Sequence, residues 1–248
     1  MFNVMPPVFG GAPAPPDPIA IFGANLVAWW DAAVGVTIPV TEVTNWADQS
    51  GNANTLVNAA LGGPQYVASD VDGTPSIFFN PALGSKGFNF TTAVPVGTLT
   101  TCWMFGKMSD TLNLKGLLWS QTGDAGFFAH SFSGATVKRP GVFDSAVWYT
   151  PAGPNRIGWD LFRMGGEDAA TDRRSVKVNN DAEQTANNPW SNVGANWANL
   201  SRTTGSTQPI QGHVKQVVLV SQFVLDANIQ NQQMLDYIKF RYPTLVTY

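Results

Sequence analysis

In the stretch NWADQSGNANTL, residues 45–56, oxygen-bearing side chains recur at alternate positions: Asp48, Ser50, Asn52 and Asn54. Alternating oxygens around a glycine, here Gly51, are how a calcium loop presents its ligands. The same residues also write a tight polar turn. Ser and Asn side chains bond to nearby backbone amides, and Gly takes a positive φ cheaply. Calcium sites gather several carboxylates, and this stretch supplies one, Asp48. The loop therefore reads first as a structural turn, with calcium as the alternative and no other cofactor implied.

A second constellation lies in NNPWSNVGANWANL, where Trp190 and Trp197 stand among Asn187, Asn188, Asn192 and Asn196. A pyranose offers an apolar face and a rim of hydroxyls, so aromatic rings beside amide side chains suit it. Trp190, Trp197, Asn188, Asn192 and Asn196 are thus a candidate carbohydrate-binding loop. The alternative is that both Trp pack beneath a long loop.

Catalysis has less to work with. Glycoside hydrolysis needs two carboxylates flanking the scissile bond. The chain has three Glu (Glu42, Glu167 and Glu183), and none begins a Glu-x-Asp-x-Glu run. Glu167, Asp168 and Asp172 precede Arg173 and Arg174 in GEDAATDRR, which reads as an exposed hairpin. The two histidines, His130 and His213, have no nucleophile motif beside them. No G-x-S-x-G, phosphate-binding Gly loop, H-E-x-x-H or C-x-x-C is present. Cys102, in an apolar run, reads as a small buried hydrophobe. The expectation is a protein that is not an enzyme.

Positioning such residues falls to strands. LVAWWD, PQYVAS, PSIFFN, LTTCWMFGKM and HVKQVVLVSQF are short runs rich in Val, Phe, Trp and Thr, separated by Gly, Pro, Asn and Asp. VDGTP, residues 71–75, carries a tight-turn signal. HVKQVVLVSQF is apolar at both parities, which predicts a strand covered on both faces. One helix is predicted over residues 226–242. Asp226 is its N-cap, Ile229, Met234, Leu235, Ile238 and Tyr242 form its apolar stripe, and Pro243 ends it.

Residues 1–24 differ from the rest. Pro6, Pro7, Pro13, Pro15, Pro16 and Pro18 favour an extended arm over a helix or central strand. Phe2, Val4, Met5, Val8 and Phe9 give that arm apolar anchors, which suits docking onto a neighbour. Charged residues are 12% of the chain, about half the usual share, so part of the surface is neutral and faces a glycan or other subunits. A net charge of −3 gives no basic face for nucleic acid. The N-terminus lacks a basic region and an apolar core, so no secretory signal is expected, and no membrane insertion either. The chain is expected to fold in a reducing cytosol.

Three stretches together resemble the laminin-G-like, concanavalin A-like jelly rolls: LVAWWDAA with VTNWADQSGNANTL, GPQYVASDVDGTPSIFFN, and IQGHVKQVVLVSQFVLDANIQNQQMLDYIKFRYP. SVKVNNDAEQ resembles that family's hairpin, with Asn179-Asn180 where many members carry Asn-Gly. The resemblance implies an all-β, antiparallel two-sheet sandwich over residues 25–248, with the C-terminal helix packed on it. Such domains are common in bacteriophage virion proteins and in bacterial surface proteins. It implies a non-catalytic virion protein, capsid- or tail-attached and assembled in the host cytoplasm. Its partners would be copies of itself, other virion proteins and host surface glycans. The alternative is a carbohydrate-binding module of a bacterial surface or secreted protein, and after that a glycoside hydrolase.

Overall fold

The computed structural model describes residues 13–245 apart from 59–62, 81–86, 96, 109–114, 121–124, 132–138, 145–146, 150–157, 168–172, 188–195 and 202–209. In chain order the elements are α1 (Pro18–Phe22), β1 (Leu26–Asp31), β2 (Val36–Thr37), β3 (Asn45–Trp46), β4 (Leu56–Asn58), β5 (Gln65–Val67), β6 (Ser76–Phe79), β7 (Phe88–Pro95), β8 (Leu99–Met108), β9 (Lys115–Ser120), β10 (Ala125–Ser131), β11 (Arg139–Asp144), β12 (Val147–Tyr149), β13 (Trp159–Glu167), β14 (Arg173–Val178), β15 (Gln184–Asn187), β16 (Asn196–Leu200), β17 (Gly212–Val220) and α2 (Ile229–Arg241).

The strands form two antiparallel sheets, as expected. The first runs β15-β14-β13-β8-β17-β6-β5, and β1 also pairs with β17. The second runs β12-β11-β10-β9-β16-β7-β4-β3-β2. The main core lies between them, with Trp30, Ile77, Met104, Phe162, Val214 and Val217 from the first sheet meeting Phe88, Leu118, Phe127 and Trp197 from the second. Each such side chain stabilises by roughly 1.5–3 kcal/mol through removal from water.

A second apolar cluster covers the opposite face of the first sheet. There Trp103, Phe105, Leu161, Val218 and Val220 meet Ile21 and Phe22 of α1 and Met234, Leu235 and Ile238 of α2. This double cover explains the strand that is apolar at both parities. It also depends on a bulge. The register of β17 against β8 shifts between Val214 and Gln216, so Lys215 is an extra residue. Before the bulge His213 faces outward. After it Val217 and Leu219 face the main core, and Val218 and Val220 face the helices.

Residues 18–25 correct the expectation of an extended arm to residue 24: α1 is helical and runs into a 3₁₀ turn at Gly23–Asn25. Pro18 sits at the first helical turn, where its missing N–H costs nothing, and Asp17 caps Ala20 N at 2.9 Å. The anchors Phe2, Val4, Met5, Val8 and Phe9 lie outside the described residues. In α2, Met234, Leu235, Ile238 and Tyr242 are buried as predicted, whereas Ile229 is exposed. The N-cap is Asn228 rather than Asp226. The Asp226 carboxylate is taken instead by Lys177 and Arg163, which tie the helix start to β13 and β14. At the helix end, buried Asp31 accepts from Gln216 Nε2 at 3.0 Å and Arg241 Nη2 at 3.3 Å. Among the described residues no helix is long and apolar enough to cross a membrane.

Candidate functional site

Beyond the end of α2, one strip of the outer face of the first sheet is left uncovered by the described residues. Cross-strand pairing places Trp159 beside Lys107, Lys107 beside His213, His213 beside Phe78, and Phe78 beside Gln65. These five residues come from β13, β8, β17, β6 and β5. Their immediate chain neighbours Met108, Val214, Ile77 and Phe79 point into the main core, so period-2 alternation turns the five outward. The strip spans four inter-strand spacings, about 19 Å. Lys107 is exposed, while Trp159, His213, Phe78 and Gln65 are half-buried. At the Gln65 end it meets a cleft of about 480 Å³ lined by Ile38, Val40, Thr41, Gln65, Tyr66 and Val67.

The rings are held from below and from the side. Phe78 stacks on the His213 imidazole with centroids 4.6 Å apart, and Trp159 lies 6.2 Å from the same imidazole. Trp159 packs on Phe105 at 5.5 Å, and the Lys215 ammonium sits 4.8 Å from its ring centre. Lys215 is itself buried, with Nζ donating to Asp72 Oδ1, Thr74 Oγ1, Thr74 O and Pro75 O. The tight turn predicted at residues 71–75 supplies all four acceptors. Gly212 opens β17 at φ +149°, and a Cβ there would come within 2.1 Å of the Lys107 carbonyl, so only glycine lets these two strands close up beside His213.

His213 forms a small polar cluster with Ser76 and Asp70. Nδ1 lies 3.0 Å from Ser76 Oγ and 2.9 Å from Asp70 Oδ2, and Ser76 Oγ donates to Asp70 Oδ2 at 2.6 Å. The residue types are those of a hydrolytic triad, but the geometry is not. A catalytic His divides its nitrogens between nucleophile and carboxylate. Here both partners share Nδ1, and Ser76 is fully buried. The cluster fixes the ring instead. The Asp70 carboxylate can only accept, which puts the proton on Nδ1 and leaves Nε2 as the outward acceptor. Burial, aided by Lys107 and Lys215, holds the imidazole below its ordinary pKa against the pull of Asp70.

The loop that begins with Asp48 is built as a backbone staple. Asp48 Oδ1 accepts from Trp29 N and Ser50 N, and Oδ2 from Ser50 Oγ and Asn54 N. Asn52 and Asn54 turn their amide nitrogens to the carbonyls of Leu26 and Val27, and Asn54 Oδ1 accepts from Thr92 Oγ1. Nitrogens, not oxygens, converge on that strand, and Gly51 takes φ +88°. Through these bonds the loop ties β1 of one sheet to β7 of the other. Among the described residues no group of three or more His, Cys, Asp and Glu could hold a metal ion.

The sequence-predicted sugar loop fares differently. Trp197 lies inside the sandwich, 1% exposed and 5.3 Å from the Phe127 ring, so it offers no face to a ligand. Asn196 is half-buried on β16. Asn188, Trp190 and Asn192 lie outside the described residues, as does His130's side chain. The three Glu are engaged elsewhere: Glu42 with Gly63 N, Glu167 with Arg173, and Glu183 with Arg163 and Ser175. Cys102 is buried, and burial raises its thiol pKa far above the ordinary value.

No protein-family model and no curated protein matches the sequence. Solved structures resemble the fold. Domain 4 of an extracellular GH43 arabinanase from Geobacillus stearothermophilus, in complex with arabinotriose, has a TM-score of 0.55 at 13% identity, covering 86% of this chain and 98% of that one. A Trypanosoma rangeli sialidase complex has a TM-score of 0.55 at 14% identity, covering 100% of this chain and 37% of that one. An arabinofuranosidase complexed with arabinofuranosyl-α-1,2-xylobiose has a TM-score of 0.53 at 14% identity, covering 79% of this chain and 50% of that one. This chain spans half or less of the last two. The likeness bears on architecture, and the chain has the jelly-roll-like β-sandwich fold that these glycoside hydrolase and sialidase structures share.

Proposed function

We propose that this domain binds carbohydrate, without catalysis, on the outer strip of its first sheet. The observation that carries the reading is the row Trp159–Lys107–His213–Phe78–Gln65. It joins half-buried rings to polar side chains along one row of the sheet's outer face, which suits an extended saccharide. The rings are buttressed by Lys215 and Phe105, so little ordering entropy is lost on binding. The arabinanase domain that resembles this fold was solved with arabinotriose, which supports the same class of ligand. The non-catalytic part rests on the engaged Glu side chains and on the shared Nδ1 contact of Ser76 and Asp70. The similar structures are of carbohydrate-active proteins and lend no support to a virion role, so the proposal does not include one.

A glycan array followed by titration calorimetry tests it. Binding should be seen with the full chain and should weaken at least tenfold in Phe78→Ala or Trp159→Ala, about 1.4 kcal/mol. An array without signal, or full affinity in both variants, would sink the proposal.

A further inference from the structure

Lys107 is the second residue of the strip, with Trp159 on one side and His213 on the other. The other cations that reach this face are neutralised. Lys215 pairs with Asp72, Arg163 with Glu183 and Asp226, Lys177 with Asp226, and Arg241 with Asp31. Asp70, which meets the strip at His213, is spent on Ser76 and His213 Nδ1. Lys107 is exposed, and its ammonium has no ion pair or hydrogen bond among the described residues. A row of rings that holds one ammonium unpaired among the described residues presents a charge to whatever lies along it.

Resting on the carbohydrate reading of this strip, we infer that the preferred saccharide carries a carboxylate on its sugar ring. In a uronic acid, the class meant here, the carboxylate takes the place of the hydroxymethyl group. It therefore lies beside the ring, at the same level as the apolar face that sits on an aromatic side chain. One ring on Phe78 or Trp159 would then bring its carboxylate to the Lys107 ammonium. A ring hydroxyl would donate to His213 Nε2, the acceptor that Asp70 fixes by holding the proton on Nδ1. An uncharged sugar would use the rings and the imidazole but leave the ammonium to water. The lysine thus sets preference rather than binding as such. An exposed ammonium–carboxylate pair is modest in strength and screened by salt, so that preference should fade as ionic strength rises.

The test uses the full chain against four polymers: polygalacturonate, neutral galactan, dextran sulfate and polyglutamate. The expected result is polygalacturonate binding about tenfold tighter than galactan at low salt, with the ratio shrinking as salt is added. Lys107→Gln should collapse the ratio toward one, and an unchanged melting temperature would show that the variant is folded. Equal binding of galactan and polygalacturonate, or a ratio unmoved by Lys107→Gln, overturns the carboxylate inference and leaves the carbohydrate reading standing. Dextran sulfate or polyglutamate binding as tightly as polygalacturonate also overturns it, because bare charge would then be what is read. Failure to bind any of the polymers, together with a silent array, removes both.

Discussion

Lys215 and Asp72 form an ion pair from which water is almost wholly excluded: Nζ lies 2.9 Å from Oδ1, and the side chains are 0% and 3% exposed. Three further acceptors from Thr74 and Pro75 complete the ammonium's shell. Such a pair is costly to halve, because the survivor is left as a buried charge. Lys215→Met and Asp72→Asn should each destabilise the fold by about 3–5 kcal/mol. The double variant should lose clearly less than the sum. Urea denaturation of the four proteins checks this, and strictly additive losses would mean that the two charges are not coupled.

Acid should weaken the same corner. Burial alone would raise the pKa of Asp72, but hydrogen bonds from Lys215 and Thr74 outweigh it and hold the group below its ordinary 3.8. Asp70 is likewise held low: bonds from Ser76 and Val71 N, with His213 nearby, outweigh burial. The folded state therefore binds fewer protons than the unfolded chain near pH 4, so this stability is present above 3.8 and lost as pH falls through the lower folded values. His213 acts in the same direction, with its contribution full above 6.5 and lost as pH falls through its depressed folded value. Between about pH 7 and about pH 3 the expected unfolding free energy declines as pH falls, with a shallower final limb in Asp72→Asn. A stability that rose on acidification would contradict these assignments.

Two aromatic truncations should separate surface from core. Phe78→Ala should weaken saccharide binding and leave a cooperative thermal transition. Trp197→Ala opens a cavity against Phe127 and should cost about 3–5 kcal/mol in stability. Calorimetry of both variants reads the two effects, and a well-folded Trp197→Ala with lost binding would reverse the two roles.

Asp48→Ala removes the acceptor for two backbone amides of its own loop and for Trp29 N, for a loss of about 2–3 kcal/mol. EDTA, and then excess calcium, should leave the wild-type melting temperature where it was. A calcium-dependent rise would show that this loop binds the metal.

Ile238, 1% exposed beneath α2, should not tolerate a carboxylate. Ile238→Asp strands a charge in the outer apolar cluster and should destabilise by more than about 3 kcal/mol. An unchanged melting temperature would mean that the helix contributes little to the fold.

The sandwich is legible in the sequence because short apolar runs and turn residues are local signals. The turn at residues 71–75, the doubly covered strand and the C-terminal helix are all readable that way. The binding strip is not, because its residues come from positions 65, 78, 107, 159 and 213, and only strand order brings them into one row. His213 carries no local mark of its partners Asp70 and Ser76. Trp197 misleads for the opposite reason: its Asn-rich neighbourhood looks like a loop, but NWANL is a strand whose alternation turns Trp197 inward. Asp226 looks like an N-cap because carboxylates suit that position, while the tertiary pull of Lys177 and Arg163 is invisible along the chain.

The extra residue at Lys215 gives β17 two phases. Odd-numbered His213 looks outward on one side of it, and even-numbered Val218 and Val220 do so on the other. Deleting that single residue would leave one regular phase, with His213, Val218 and Val220 all still outward and Val214, Val217 and Leu219 still in the core. The strand would keep every facing and lose only the buried ammonium, leaving Asp72 without its partner. A one-residue deletion here should therefore cost about what Lys215→Met costs. The same deletion elsewhere along β17 would turn one half of the strand over and should be rejected far more severely.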